Sequence, residues 1–376
     1  MKKTLTWLGV TVGSLAVFAG AGFGLTLVNK DSLATHLIEK YTGTNNDSVS
    51  SSANKSAQVS SEDDNLNVIK STNLDSILNN GEYNGSAALN TGKKILVSSR
   101  GYSNHTKKDS MTQNSRFLIG KVQDTINNAI IMHLIDTGEI KLSDKLAKYD
   151  NKVAGADLVT VKDIMNQTSG IDSSFFSDSG SANTLIKKVD LDATYDSSKQ
   201  GTYSDTQVNT VLQAKIIEKV TGDDYRTVVQ ELIDQLGLEN TRFGIKEKSV
   251  DYYKNGDSIS PKKVNNSDLD TATINRMGED QLVSSPGDIA QLYNYLFNSD
   301  YISSSTLDKV FKEASGHIAG FSVNGHSVSL AQTITGGRNR IEWNLKKHQG
   351  SFLFSNYING EDNLASISVN MFDYLN

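Results

Sequence analysis

The amino-acid sequence predicts an α+β fold, in which strands from both ends of one domain form an antiparallel sheet and a mainly helical region lies between them. Residues 84–98 have the alternation and the polar turn of a β-hairpin. Apolar residues then recur at helical spacing between about residues 121 and 285. Strand-like runs return after residue 350. Since strands at both ends enclose the helices, we expect one sheet shared by the two ends.

The first 30 residues predict a transmembrane anchor. Two lysines, Lys2 and Lys3, precede an uncharged, mainly apolar run of 26 residues from Thr4 to Asn29. As a helix, this run is long enough to cross a hydrocarbon core of about 30 Å. The lysines predict a cytoplasmic N-terminus, so a single-pass anchor in the cell membrane would leave the main domain extracellular. The small residues of Ala19–Gly22 leave cleavage as a signal peptide open.

Residues 31–72 predict a short helix followed by a flexible tether. The apolar residues with roughly helical spacing are Leu33, Leu37, Ile38 and Tyr41. Residues 42–65 are rich in Ser, Asn, Asp and Thr, so they cannot bury enough apolar surface to offset their ordering entropy. The main domain is therefore expected at residues 73–376.

The elements of this domain follow in chain order. The first hairpin turns at Asn90-Thr91-Gly92. Apolar periodicity then predicts four helices, at residues 122–135, 206–220, 225–236 and 287–298. Gly138 and Gly222 follow the first two helices, a position typical of helix ends.

The last part of the chain predicts a second hairpin. Phe352–Phe354 and Tyr357-Ile358 are strand-like, and Asn359-Gly360 suits a tight turn. The apolar residues of Leu364–Met371 then predict the returning strand.

Composition and charge narrow the classes of function. The net charge of −6 argues against a nucleic-acid binder, which usually has a basic surplus. The absence of cysteine excludes disulfides, thiolate metal sites and a cysteine nucleophile. The six histidines are widely spaced and form no His-x-x-x-His pattern, so we predict no metal site and no cofactor.

Several segments carry a shared pattern in their order and spacing. They are residues 84–102, Phe117–Gly120, Ile140–Leu146, Val159–Val161, Gln167–Ile171, Tyr203–Asp205, Ile216–Thr241, Leu282–Ser285 and His348–Gly350. Over about residues 73–371 this pattern resembles the serine β-lactamase and penicillin-binding-protein superfamily. Its members include class C β-lactamases, low-molecular-weight penicillin-binding proteins and D-alanyl esterases. The resemblance implies a β-lactamase/transpeptidase-like fold and a cleft for acyl substrates.

The chain departs from this pattern at the nucleophile. The resemblance implies Ser-x-x-Lys directly after Gly120, yet Lys121 stands at the serine position and Asp124 at the lysine position. The strings Ser52–Lys55 and Ser260–Lys263 open no apolar-periodic helix. A lysine amine attacks only when it is unprotonated, and a nearby carboxylate favours its charged form. We therefore predict an ion pair between Lys121 and Asp124 and no intact catalytic residue.

The resemblance implies four further positions in or beside the cleft. Tyr203 matches a tyrosine that helps proton transfer, and Asp205 replaces an asparagine that orients substrate. His348 and Gly350 match the His-x-Gly or Lys-Thr-Gly motif beside the last strand. A buried structural tyrosine and a structural loop histidine remain equally open interpretations.

Three functions stay open at this point. The first is a pseudoenzyme that binds a cell-envelope component, such as a peptidoglycan stem peptide or D-alanylated teichoic acid, or a protein partner, without turnover. The second is an active D-alanyl esterase or carboxypeptidase with a displaced nucleophile such as Ser204 or Ser351. The third is a protein-interaction module with a collapsed cleft, in which Lys121 and Asp124 form a structural contact.

Overall fold

The structure is a computed structural model. It describes residues 65–81, 83–173, 181–245, 249–254, 262–264, 276–313, 315–334, 336–357 and 363–375. The expected anchor of residues 1–30, the short helix after it, nearly all of the Ser/Asn-rich stretch and the Asn359-Gly360 turn lie outside these ranges. Within them, no helix combines the length and hydrophobicity that a membrane span requires.

The described strands are β1 (Val68–Lys70), β2 (Gly85–Asn90), β3 (Ile95–Arg100), β4 (Tyr102–Asn104), β5 (Asp109–Ser110), β6 (Phe117–Leu118), β7 (Ile171–Asp172), β8 (Thr194–Tyr195), β9 (Arg242–Phe243), β10 (Tyr253–Lys254), β11 (Lys262–Lys263), β12 (Leu282–Ser284), β13 (Ser315–Ile318), β14 (Phe321–Asn324), β15 (Ser327–Ile334), β16 (Gly337–Asn344) and β17 (Gln349–Ser355). The described helices are α1 (Thr72–Asn80), α2 (Val122–Asp136), α3 (Val161–Met165), α4 (Ala182–Asp192), α5 (Gln207–Thr221), α6 (Tyr225–Gln235), α7 (Pro286–Asn298), α8 (Ser304–Val310) and α9 (Leu364–Asp373), with a 3₁₀ turn at Leu146–Lys148.

The main sheet has eight strands in the order β1-β3-β2-β17-β16-β15-β14-β13. Strands from both ends of the domain therefore form one sheet, which confirms that part of the sequence prediction. The sheet is mixed, however, because β1 runs parallel to β3 while the other pairs are antiparallel. The fold also begins before residue 73, since Val68 to Lys70 pair with Ile95 to Val97. A three-residue edge strand is too short to show periodicity, so no sequence pattern predicts it.

Helices cover both faces of this sheet. On one face, α1 and α9 bury an apolar cluster that includes Leu78, Leu353 and Met371. On the other face, α7 packs against β2 and β17, and an aromatic group of Tyr293 and Phe352 lies between them. The helical region adjoins this second face. The helices and the sheet thus bury their apolar side chains against each other, and this burial is the main contribution to the stability of the domain.

The predicted helices at residues 122–135, 206–220, 225–236 and 287–298 are confirmed as α2, α5, α6 and α7. In each of them the apolar residues repeat over at least two turns, which makes the pattern distinct from that of a strand. Gly222 ends α5 in the left-handed region, with φ of +79°.

The predicted last strand is wrong, because Leu364–Met371 lies in helix α9. Leu364, Ile367 and Met371 are buried at spacings of three and four residues, whereas Val369 is 54% exposed. This is the burial pattern of a helix with one face on the sheet. In a strand, Val369 and Met371 would have shared a face.

We expect Met371→Ala to lower the free energy of unfolding by about 2–5 kcal/mol, because it opens a cavity between α9 and the sheet. Val369→Ala, the matched control, should change it by less than about 0.5 kcal/mol. Guanidinium unfolding of the two variants measures both effects. Equal destabilisation by the two substitutions would contradict the helical assignment.

Candidate functional site

The start of α2 is held between two sheets. Strand β6 pairs with β12, and the backbone N–H of Ile119 donates to the Leu282 carbonyl at 3.1 Å. Gly120 then turns the chain with φ of +53°, and a Cβ at this position would lie 2.5 Å from Gln332 Oε1. The backbone angle therefore favours glycine here, and a side chain at this position would also displace the Gln332 amide. The turn delivers Lys121 to the N-cap position of α2.

Lys121 forms its ion pair with Asp205 and not with Asp124. The Lys121 ammonium contacts the Asp205 carboxylate, and the two side chains are 36% and 45% exposed. The predicted Lys121–Asp124 pair is thus wrong. Lys121 precedes the first helical turn and extends toward solvent, whereas Asp124 is only 4% exposed. A long cationic side chain keeps its charged head in water when a surface partner is within reach.

Asp124 lies inside a network of amide side chains. Its Oδ1 accepts a hydrogen bond from Asn128 Nδ2 at 2.8 Å, and its Oδ2 accepts one from Gln167 Nε2 at 3.2 Å. Gly320 closes the site from the side of the sheet, where a Cβ would lie 3.3 Å from Asp124 Cγ. The carboxyl group is therefore enclosed, with amide donors as its described hydrogen-bond partners.

Burial raises the pKa of the Asp124 carboxyl from 3.8 to about 7. Hydrogen bonds from the amides of Gln213 and Gln167 lower this pKa, the charge of Glu279 raises it, and the charge of Lys121 lowers it. Burial dominates because the charged carboxylate loses its hydration there. Near neutral pH, Asp124 therefore spends much of its time as an uncharged acid.

Gln167 connects Asp124 to the loop that carries the predicted cleft residues. Its backbone is in the left-handed region with φ of +57°, and its Oε1 accepts a hydrogen bond from Asn209 Nδ2 at 2.9 Å. Its carbonyl accepts the backbone N–H of Ser204 at 2.9 Å. Strained backbone of this kind persists where the surroundings fix it and is common at functional sites. Through these bonds Gln167 sets the position of Tyr203 and Asp205.

Tyr203 lies at the surface beside His317 of β13. The two rings are 4.1 Å apart between centroids and inclined by 35°, and Tyr203 is 46% exposed. Partial burial, then the charges of Asp124 and Glu279, raise the pKa of the Tyr203 hydroxyl. Burial and, after it, the charge of Lys121 lower the pKa of His317 to about 4. At neutral pH both rings are uncharged, and the tyrosine holds its proton.

A second carboxyl group completes the cluster. Burial raises the pKa of Glu279, while the charges of Lys121 and Arg276 lower it. Thr210 Oγ1 donates to Glu279 Oε2 at 3.3 Å. Lys121 thus lies in the field of Asp124, Asp205 and Glu279, which makes the start of α2 a mixed-charge site.

The structure does not bring His348 and Gly350 to this cluster. His348 is exposed in the turn between β16 and β17, where its ring contacts Asn298 of α7. Gln332 pairs with Asn339, and Asn339 with Phe354, which lies four residues from Gly350 along β17. At about 3.3 Å per residue, Gly350 is ~13 Å along the sheet from the level of Gln332. The strand that reaches the start of α2 is β15.

The two alternative serine nucleophiles lie in different surroundings. Ser351 is buried on the α9 face of the sheet, and its Oγ is 2.6 Å from Ser368 Oγ. Ser204 is exposed beside Tyr203, and its backbone N–H is bonded to Gln167. Within the described part of the chain, neither hydroxyl has a hydrogen bond to a histidine, lysine or tyrosine side chain that would activate it.

Sequence reasoning missed His317, Gln332 and the amide network around Asp124. One signal was available for Gln332, because β15 alternates and its inward residues are Val328, Leu330, Gln332 and Ile334. A polar residue in such an apolar row usually has a specific partner. For His317 no local signal exists, since its partner Tyr203 is on a distant part of the chain.

Asp124 should make the stability of the protein depend on pH. Between pH 3.8 and about 7 the folded state holds a proton that the unfolded state releases, so the free energy of unfolding falls as pH rises. The change is on the order of 4 kcal/mol at most. The Asp124→Asn side chain stays neutral at every pH. The stability of this variant relative to the natural chain should therefore be higher at pH 8 than at pH 4. Thermal unfolding across this range measures the difference.

Asp144→Asn is the matched control with the opposite sign. Burial alone would raise the pKa of the Asp144 carboxyl, but hydrogen bonds from Lys148, Tyr149 and the Lys141 backbone together outweigh burial and lower this pKa. Its contribution to stability is present above pH 3.8 and is lost as pH falls through the lowered pKa. The stability of Asp144→Asn relative to the natural chain should thus be lower at pH 8 than at low pH. Parallel behaviour of the two variants would refute the assignment of a raised pKa to Asp124.

Known proteins resemble this chain in sequence and in fold. The teichoic acid D-alanine hydrolase of Staphylococcus aureus strain MRSA252 is 28% identical over 193 residues, which are 50% of this chain and 48% of that protein. The chain thus matches about half the length of such curated relatives. FmtA from Staphylococcus aureus has a TM-score of 0.68 at 21% identity, covering 81% of this chain and 89% of that one.

Two further solved structures have the same fold at lower identity. A penicillin-binding protein from Bacillus halodurans has a TM-score of 0.66 at 14% identity, covering 81% of this chain and 100% of that one. A class C β-lactamase has a TM-score of 0.65 at 14% identity, with coverage of 81% and 94%. The β-lactamase family model matches residues 81–349. This confirms the resemblance predicted from the motifs, and the chain belongs to the β-lactamase family.

Proposed function

We propose that this chain is a membrane-anchored, extracytoplasmic pseudoenzyme that binds a cell-envelope component without turning it over. The ion pair between Lys121 and Asp205 carries the proposal, because it stands where the family pattern has its nucleophile. An acyl-transfer site needs a nucleophile within about 2.6–3.2 Å of a base. The Lys121 amine is instead engaged by a carboxylate.

The neighbouring groups are poorly suited to replace the missing pair. Tyr203 has a raised pKa, so its phenolate is scarce at neutral pH. His317 has a pKa of about 4, which makes it a weak proton acceptor. Asp124 is buried with a pKa of about 7, and its carboxyl cannot replace the cationic amine that the family pattern has at this position. The site therefore supports recognition better than chemistry.

The charges of the site favour a ligand that carries both signs. D-alanylated teichoic acid has ammonium groups on its alanyl esters and anionic phosphodiesters along its backbone. Asp205 is suited to the ammonium and Lys121 to a phosphate, and both charges are accessible. The half-exposed Tyr203 offers an aromatic face to the ammonium. The relative whose name includes teichoic acid D-alanine supports this choice of ligand over a peptidoglycan stem peptide.

We expect no covalent labelling when the purified full-length chain is incubated with a fluorescent penicillin, because Lys121 replaces the family serine and neither Ser204 nor Ser351 is hydrogen-bonded to an activating base in the described part of the chain. A catalytically active penicillin-binding protein serves as the positive control on the same gel. Covalent label on the natural chain would contradict the pseudoenzyme proposal, and peptide mapping of the adduct would name the nucleophile.

We also expect the full-length chain to bind D-alanylated lipoteichoic acid more tightly than the same polymer after mild alkaline removal of its alanyl esters. Asp205→Asn should weaken binding to the alanylated polymer by about 5–30-fold, on the order of 1–2 kcal/mol for one charged contact. Lys148→Ala, which breaks the exposed Lys148–Asp144 pair, is the matched control and should leave binding unchanged. Microscale thermophoresis gives the dissociation constants.

Two outcomes would redirect the proposal. Equal binding of both polymers would show that the alanyl ester is not recognised. Binding of an envelope protein that survives Asp205→Asn would favour an interaction module that does not use this site.

A further inference from the structure

Every backbone N–H of the first turn of α2 has an acceptor within the protein. The N–H groups of Val122, Gln123 and Asp124 donate to the carbonyls of Ile119, Gly120 and Lys121 at 3.0–3.1 Å. The N–H of Lys121 donates to Gln332 Oε1 at 2.7 Å. The start of a helix ordinarily offers such donors to water or to an anionic or carbonyl ligand. Here they are all engaged.

Three of these four acceptors belong to the turn itself, and only the Gln332 oxygen comes from a side chain. The Gln332 amide is held at both ends, since its Nε2 donates to the Ile119 carbonyl while its Oε1 accepts from Lys121. The amide therefore bridges Ile119 and Lys121 across Gly120. The turn could not lose the other three bonds without unwinding, whereas Gln332 can be removed by substitution.

An acyl substrate needs N–H donors at the place where its carbonyl oxygen becomes negative. The oxygen of a glutamine side chain is itself an amide carbonyl, so it accepts the Lys121 N–H as a substrate carbonyl would. We propose that Gln332 is an internal occupant of the carbonyl-binding position at the start of α2. It is then a third barrier to acyl transfer, in addition to Lys121 and Asp124. This inference deepens the proposed function and rests on it.

Restoring the family serine and lysine should not by itself restore acyl transfer. In a chain with Lys121→Ser and Asp124→Lys, the introduced hydroxyl oxygen would bond to the lactam carbonyl carbon, and the lactam C–N bond would open. The hydroxyl proton would pass through the introduced amine to the lactam nitrogen. With Gln332 in place, the backbone N–H of residue 121 is not free to donate to the lactam carbonyl oxygen, so the double substitution alone should leave acylation slow.

The test compares fluorescent-penicillin labelling rates of full-length chains. We expect the triple variant Lys121→Ser/Asp124→Lys/Gln332→Ala to be labelled at least 10-fold faster than Lys121→Ser/Asp124→Lys. The matched control adds Thr333→Ala instead, because Thr333 is exposed on the opposite face of β15, and it should leave the rate of the double variant unchanged. Equal rates with and without Gln332→Ala, including no labelling of either, would overturn the inference.

Amide hydrogen exchange tests the contact without any catalytic substitution. In Gln332→Ala, exchange at the Lys121 N–H should accelerate at least 10-fold, while the amides of Val122 and Gln123 keep their protection. Unchanged exchange at Lys121 would overturn the inference even if the triple variant does not fold. Labelling of the natural chain would instead overturn the proposed function, so the two failures are distinguishable.

Discussion

The antiparallel pairing of β2 with β17 is the constraint on which the rest of the structure depends. It joins residues 85–90 to residues 350–355, so the two ends of the domain meet in the middle of the eight-stranded sheet. The helical region between them must then return to the part of the sheet where β15 meets the start of α2. Through Asn339, whose Nδ2 donates to the Leu118 carbonyl at 2.8 Å, and through Gln332, the sheet fixes the turn at Gly120. The geometry of the site thus follows from the way in which the two ends of the domain pair in one sheet.

At that turn, the positively charged side chain lies three residues earlier in the chain than in the family pattern. The family pattern has a cation at the position of Asp124, one helical turn into the interior. Here the interior position holds a carboxyl whose burial raises its pKa to about 7, so this group is uncharged for much of the time near neutral pH. The cation is at Lys121 instead, where it pairs with Asp205 in water. Exposed pairs of this kind contribute little to stability, with typical values of about 0–1 kcal/mol. The pair therefore adds little to folding stability, which agrees with its role in the proposed ligand recognition.

The fold was largely predictable because its long elements repeat their apolar residues over several turns. The hairpin of β2 and β3 and the helices α2, α5, α6 and α7 all have such patterns. The error at Leu364–Met371 arose where the same residues fit two periods, since Ile367, Val369 and Met371 alternate as a strand while Leu364, Ile367 and Met371 repeat as a helix. Only the packing of α9 on the sheet decides between them, and that packing is a long-range contact.

Four residues of the site were predictable from the sequence, but the pairing of their charges was not. Motif order placed Lys121, Asp124, Tyr203 and Asp205 near one another, and the structure brings them together. The partner of Lys121 depended on which side chain is buried, which a spacing of three residues does not show. His348 and Gly350 were assigned from a local string, and the register of β15, β16 and β17 places that string near the other end of the sheet.

Gln332 links the sheet to the start of α2. A polar residue in an otherwise apolar inward row needs a partner, and the N–H of Lys121 supplies one. The helix start gains a cap from this bond, and the same bond removes the donor on which acyl transfer depends. If residue 121 were a serine nucleophile, its substrate carbonyl would have to compete with the Gln332 oxygen for the backbone N–H of residue 121. A lysine that reaches outward to Asp205 sets up no such competition. The cap and the outward ion pair are therefore mutually consistent, and together they leave the partly exposed charges of Lys121 and Asp205 as the accessible part of the site.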